Sequence, residues 1–137
     1  MSDNVDYSDP RSVLLAFFTA MNAWEKECWQ RRKEPDIVGR QTQAREEMEA
    51  IFEAYCTPKE RKYGRLGSFS NPPEYDPVAE TILSVTEAKN RCQIETQQST
   101  GFCHKNLYVL HRKDGRWLVD NKQWFAASTS KWQRCGL

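Results

Sequence analysis

Apolar residues recur every three or four positions in the first part of the chain, the spacing of an amphipathic helix. The first apolar stripe consists of Leu14, Phe17, Met21, Trp24 and Cys28. Asp9 suits an N-cap and Pro10 the first helical position, while Pro35 follows the polar run that ends the pattern. A second stripe begins near Ile37 and consists of Ala44, Met48, Ile51, Phe52 and Tyr55. The pattern predicts two amphipathic helices that together cover an apolar surface.

A change of pattern follows the second helix. The segment Thr57-Pro58-Lys59-Glu60 has the form of a capping box with proline in the first turn, which predicts a short third helix ending at Gly64. Residues 64–77 then contain two glycines and three prolines, a composition that sustains neither a helix nor a central strand. The helical part is therefore expected at 10–64 and a long loop at 65–77.

From Val78 onward the period of the apolar residues shortens to two, the period of a β-strand. The alternation predicts strands within residues 79–85, 91–96, 102–111 and 116–125. The turn sequences between them are Lys89-Asn90, Ser99-Thr100-Gly101 and Asp114-Gly115, and the last is favoured in two-residue hairpins. We expect an antiparallel meander of four strands over 78–125. The polar tail 126–137 is expected to pack across the sheet or fray.

Helices first and an antiparallel sheet second predict an α+β fold, with the helical stripes on one face of a curved sheet. The 137 residues are expected to form a single domain (1–137), because neither side of the long loop has enough apolar residues to fold alone. Apolar residues make up 39% of the chain and charged residues 28%, which excludes a disordered chain and a membrane protein.

Net charge and the number and spacing of cysteines limit which kinds of partner and metal site the chain is expected to have. A formal net charge of +1 removes the domain-wide basic surface that would favour a nucleic-acid partner. The five cysteines are scattered without a Cys-x-x-Cys pair, and the chain has only two histidines, so we expect reduced thiols and no metal site. The acidic N-terminus lacks a secretory signal and no stretch is long enough to span a membrane, which favours the cytoplasm and no membrane partner.

Four segments resemble one known family. They are residues 20–25 (AMNAWE), 56–64 (CTPKERKYG), 72–77 (PPEYDP) and 115–120 (GRWLVD). Together with the order of the predicted elements, they resemble the bacterial immunity proteins of the cone-shaped nuclear transport factor 2-like fold. Such proteins protect a cell from the toxin made by a neighbouring gene in polymorphic toxin systems. The resemblance covers residues 10–125, is most distinctive at 57–64, and implies a protein that binds and neutralises a cognate toxin.

Two other functions remain open. Members of such folds include enzymes, and His104, Tyr108 and Asp120 could converge in a pocket as acid–base groups or bind a small ligand. The ordinary interpretation makes Asp120 a strand residue hydrogen-bonded to the backbone or to Asn121, and His104 a solvated residue of the sheet. The sequence contains no phosphate-binding loop, nucleophile elbow or zinc-protease motif, so no cofactor is expected. A homodimer that associates through its sheet is the other alternative.

Aromatic residues in and near the predicted loops suggest where a partner binds. Trp24, Trp117 and Phe17 lie on apolar periodic faces and are expected in the core. The candidate partner-binding residues are Tyr63, Arg65, Phe69, Tyr75, Trp124 and Trp132. Tyr and Trp are enriched among interface hot spots, and Pro72 and Pro73 would stiffen the loop. The alternative is that the loop closes one end of the cone, with Phe69 and Tyr75 as its plug.

Overall fold

Two helices are followed by an antiparallel sheet, which confirms the α+β class. The computed structural model describes residues 5–59, 75–99, 103–135 and 137. The elements, in chain order, are α1 (Pro10–Arg31), α2 (Ile37–Tyr55), β1 (Glu80–Ala88), β2 (Arg91–Gln98), β3 (Lys105–Lys113), β4 (Arg116–Ala126) and β5 (Lys131–Cys135).

Both helices begin where the sequence predicts, because an aspartate caps each of them. The Asp9 carboxylate accepts a hydrogen bond from the backbone N–H of Arg11 at 3.1 Å, and the Asp36 carboxylate accepts one from Gly39 at 3.0 Å. The two helices are joined at Trp24, whose indole N–H donates to the Ala44 carbonyl of α2 at 2.9 Å. This contact holds the apolar stripes of α1 and α2 next to each other.

The strands pair in sequence order, so the sheet is a meander of β1-β2-β3-β4-β5. The hairpin between β3 and β4 turns at Asp114 and Gly115, both with positive φ (54° and 76°), as the Asp-Gly pair predicts. The four strands predicted over 78–125 are all present, and the sheet has one strand more, because residues 131–135 form β5 and pair with β4. This part of the tail therefore extends the sheet instead of crossing or fraying.

The core lies between α1 and one face of the sheet, here called the inner face. Cross-strand pairing places Ile94, Tyr108 and Leu110 on this face, where they are fully buried. The α1 residues of the core are Val13, Leu14, Phe17, Phe18, Met21, Trp24 and Cys28. The prediction that Trp24, Trp117 and Phe17 are core residues is confirmed. The opposite face of the sheet, which includes Glu95 and Leu107, is here called the outer face.

Most of the predicted third helix lies outside the described residues, which omit 60–74. Pro58 and Lys59, at its expected start, are not helical. Before them, Cys56 forms a parallel bridge with Val119, and the Thr57 N–H donates to the Val119 carbonyl at 2.9 Å. The chain that leaves α2 therefore runs along the edge of β4.

Neither α1 nor α2 has the length and apolar character needed to cross a membrane.

Tyr75 tests the packing of this core. Its side chain is fully buried, so Tyr75→Ala should lower the free energy of unfolding by about 3 kcal/mol or more, the usual cost of removing a large aromatic ring from a core. The matched control is Trp29→Ala, whose indole is 36% exposed and whose loss should cost below about 1 kcal/mol. Urea denaturation followed by circular dichroism measures both. Equal losses in the two variants would contradict the assignment of Tyr75 to the core.

Candidate partner-binding site

Tyr75 fixes the chain immediately after residues 60–74. Its ring lies 5.2 Å from that of Phe17 and 5.8 Å from that of Phe18, measured between centroids. The backbone is held as well, because the Tyr75 N–H donates to the Glu25 carboxylate at 3.3 Å and its carbonyl accepts from the Asn22 side chain at 2.8 Å. Ring packing and two hydrogen bonds to α1 thus anchor this point of the chain.

Asp120 fixes the chain immediately before residues 60–74. Its carboxylate accepts a hydrogen bond from the Thr57 hydroxyl at 2.8 Å and lies 3.1 Å from the Lys59 ammonium. The Asn121 side chain donates to the same carboxylate at 3.0 Å, and His111 Nδ1 lies 3.8 Å away. These contacts tie the strand β4 to the segment that leaves α2. Residues 60–74 are therefore held at both flanks by described contacts.

The surroundings of Asp120 keep it ionised. Burial by itself raises the pKa of a carboxyl group, but hydrogen bonds from Thr57, Asn121 and Lys59, together with the nearby His111, lower the pKa of Asp120 from 3.8 to about 2. A carboxylate with so low a pKa is a poor proton donor or acceptor near neutral pH. Its position favours a structural role at the start of the segment.

The candidate partner-binding residues do not form one surface. Tyr63, Arg65 and Phe69 lie outside the described residues. The prediction that Tyr75 lies on a partner-binding surface is corrected. Its side chain is fully buried and presents no area to a partner, because its ring fills the space beside Phe17 and Phe18. That is the plug that the alternative interpretation describes for this residue.

The two remaining candidates, Trp124 and Trp132, are partly exposed on opposite faces of the sheet. Trp124 pairs with Asn106 of the inner face, and its ring stacks on His104 with centroids 5.0 Å apart. Trp132 of β5 pairs with Phe125, which follows Trp124 in β4. Successive side chains of a strand point to opposite faces, so Phe125 and Trp132 project from the outer face. A single flat partner surface could not contact both indoles.

Trp132 lines a groove on the outer face with a volume of about 180 Å³. The outer-face groove, as it is called below, is lined by Ser84, Thr86, Gln93, Glu95, Leu107 and Trp132. These residues belong to β1, β2, β3 and β5, so the groove crosses most of the sheet. Sequence reasoning singled out Trp132 as a candidate but not Glu95, which has the ordinary pattern of an outward polar residue in a strand.

The proposed acid–base group does not assemble around Asp120. Tyr108 is buried and packs its ring against Phe18 with centroids 5.1 Å apart, while His104 stacks on Trp124. The histidine that approaches Asp120 is His111, not His104. Asp120 does receive the hydrogen bond from Asn121 that the ordinary interpretation expects. The described geometry therefore gives no support to a pocket shared by His104, Tyr108 and Asp120.

The cysteines differ in their surroundings. Cys28, Cys56 and Cys92 are buried, as expected of small apolar residues, whereas Cys103 is exposed and Cys135 is partly exposed. Burial, the largest cause, and nearby carboxylates raise the pKa of both Cys28 and Cys92 to about 11. These two thiols are unreactive for that reason. Within the described ranges, no group of three or more His, Cys, Asp or Glu side chains is arranged to hold a metal ion.

Comparison with known proteins gives one consistent result. The family model described as "NTF2 fold immunity protein" matches residues 9–136. Among curated proteins, the chain is similar to "Immunity protein RhsIA" of Dickeya dadantii (strain 3937), with 35% identity over 134 residues, which cover 96% of this chain and 98% of the relative. No solved structure matches the chain.

The pKa of Asp120 predicts how the stability of the fold depends on pH. The folded value of about 2 lies below the unfolded value, so the carboxylate stabilises the fold fully above about pH 4 and loses this effect as the pH falls toward 2. In Asp120→Asn the loss of stability between about pH 4 and 2 should be smaller than in the unchanged protein. Thr57→Val, which removes one donor, should give an intermediate slope. Urea titrations at several pH values measure it, and identical slopes in all three proteins would contradict it.

Proposed function

The chain belongs to the NTF2 fold immunity protein family, and from this we propose that it binds one cognate bacterial toxin and neutralises it by direct protein–protein contact. The toxin would be encoded by the adjacent gene, and the pair would meet in the cytoplasm. The role would be non-enzymatic, with no cofactor and no nucleic-acid or membrane partner. The similarity to an immunity protein along nearly the full length of both chains supports this proposal.

The observation that carries the mechanism is the filled interior of the described fold. One aromatic cluster lies against the inner face, formed by Phe17 and Phe18 of α1, by Tyr75 from the segment before β1, and by Tyr108 of β3. A small-ligand site in a cone-shaped fold needs an open apolar cavity with polar groups directed into it. Within the described residues, aromatic side chains occupy that position, which supports recognition by groups on the outside of the domain.

Two regions of the chain are proposed to contact the toxin. The first is the segment that carries Tyr63, Arg65 and Phe69, which lies between the anchors at Asp120 and Tyr75. Anchored flanks reduce the conformational freedom that a recognition segment loses on binding. The second is the outer face around Trp132, whose indole is partly exposed and is of the residue type most common among interface hot spots.

Binding by the anchored segment can be tested directly. The variants Arg65→Ala and Phe69→Ala should keep their melting temperature but bind the purified toxin domain roughly thirtyfold more weakly, the usual effect of truncating a central interface anchor. Calorimetric titration of the toxin domain and thermal melts measure the two quantities. Early melting with normal affinity would assign Phe69 to the plug, and failure of the unchanged protein to bind would refute the proposed function.

A second experiment separates binding from catalysis. Cells that produce the toxin should be protected about equally by the unchanged protein and by His104→Gln, because the proposal requires no proton transfer at this residue. Asp120→Asn should also protect within a few-fold where it remains folded. A folded Asp120→Asn protein that still binds the toxin but fails to protect would instead support an enzymatic mechanism.

A further inference from the structure

The outer-face groove contains a carboxylate, that of Glu95, which has no charged partner among the residues that the structure describes. Glu95 is half-buried, and its Oε2 accepts a hydrogen bond from the Ser84 hydroxyl at 3.0 Å. Among the described residues, no lysine, arginine or histidine forms an ion pair with it. A carboxylate removed partly from water attracts a cation more strongly than one in full solvent. The floor beside it is Leu107, which is only 9% exposed.

An aromatic ring forms another wall of the same groove. The Trp132 indole packs edge to face on Phe125 with centroids 5.4 Å apart, and the Lys105 ammonium lies 5.9 Å from the Phe125 ring. Lys105 lies two positions before Leu107, at the start of β3. Its ammonium is therefore directed to Phe125 and not to Glu95. The bracing by Phe125 holds the indole in place without covering it, and an indole face is the best aromatic surface for a cation.

We propose that this groove binds an arginine side chain of the toxin, with the guanidinium between the Glu95 carboxylate and the Trp132 indole. The inference rests on the proposed function. The volume of about 180 Å³ equals that of roughly six water molecules, which is enough for a guanidinium and part of its stem. Arginine fits because it combines forked donors for a carboxylate with a planar face that stacks on an aromatic ring.

The other lining groups match the same ligand. Gln93, Ser84 and Thr86 each carry an oxygen that accepts hydrogen bonds, and a guanidinium has five N–H donors to satisfy. An anionic or purely apolar side chain would leave Glu95 opposed or unpaired, which is costly in a partly desolvated site. The charge and shape of the groove thus select for a planar cation. A matching arginine on the toxin would add specificity and a faster encounter.

The test compares three variants in calorimetric titrations with the toxin domain. Glu95→Gln preserves the size of the side chain and its bond to Ser84, and it should weaken binding about tenfold at low salt, with a smaller effect at high salt. Trp132→Ala should weaken binding by about tenfold or more. Glu87→Gln is the matched control: it removes an exposed carboxylate of β1 that does not line the groove, and it should leave the affinity unchanged.

A short peptide tests the ligand chemistry without the toxin. Acetyl-Gly-Arg-Gly-amide should shift the NMR signal of the Trp132 indole N–H in the unchanged protein, and the shift should be lost in Glu95→Gln. The neutral peptide with citrulline in place of arginine should give no shift. Equal shifts from both peptides, or none from either, would overturn the proposal.

The outcomes separate this inference from the proposed function. If the unchanged protein does not bind the toxin domain, the proposed function fails and the inference fails with it. If it binds and Glu95→Gln and Trp132→Ala bind equally well, only the inference is overturned. Sedimentation of the protein alone tests whether a second copy of the chain occupies the groove instead. A dimer that dissociates in Trp132→Ala would show this and would also overturn the inference.

Discussion

The packing of Tyr75 between α1 and the sheet is the contact on which the rest of the arrangement depends. It inserts a residue from a segment rich in proline into the aromatic cluster of Phe17 and Phe18, and it occupies the space that a ligand would need on the inner face. The same contact fixes the position of the chain at residue 75, shortly before β1. One buried ring therefore closes the interior and holds one flank of residues 60–74.

Buried charges set the position of that ring. Glu25 is fully buried on α1 and accepts the Tyr75 N–H, while the Lys122 ammonium of β4, also buried, lies 4.8 Å from the centre of the Tyr75 ring. Charged groups are costly to bury unless they have defined partners. Directional contacts of this kind favour one placement of the tyrosine over others of similar apolar area. The two charges thus add specificity to a contact whose free energy comes mainly from the burial of the ring.

Periodicity and end signals were enough to predict α1, α2 and four of the strands, because apolar residues recur with a regular spacing in each. The alternation does not match burial in β1, where the register shifts between Ile82 and Ser84 and Leu83 is 51% exposed. They missed β5 since the edge strand Lys131–Cys135 has one paired side and none of its five residues is buried. The site was harder to predict. Whether Trp124 and Trp132 share a face depends on register across two strands, and the environment of Glu95 depends on residues from four strands. No local sequence pattern therefore predicts the face of either tryptophan or the surroundings of Glu95.

Separation of the core from the recognition surfaces has a consequence for specificity under the proposed function. The aromatic cluster and the Asp120 contacts stabilise the domain, whereas the outer-face groove is lined mostly by polar, partly exposed side chains. Surface substitutions usually change stability little, while large changes come from cores and buried networks. Substitutions at Glu95 or Trp132 can therefore change the match to a toxin at low cost to the fold. Substitutions at Tyr75 or Phe18 would instead disrupt the packed core that positions the outer-face groove.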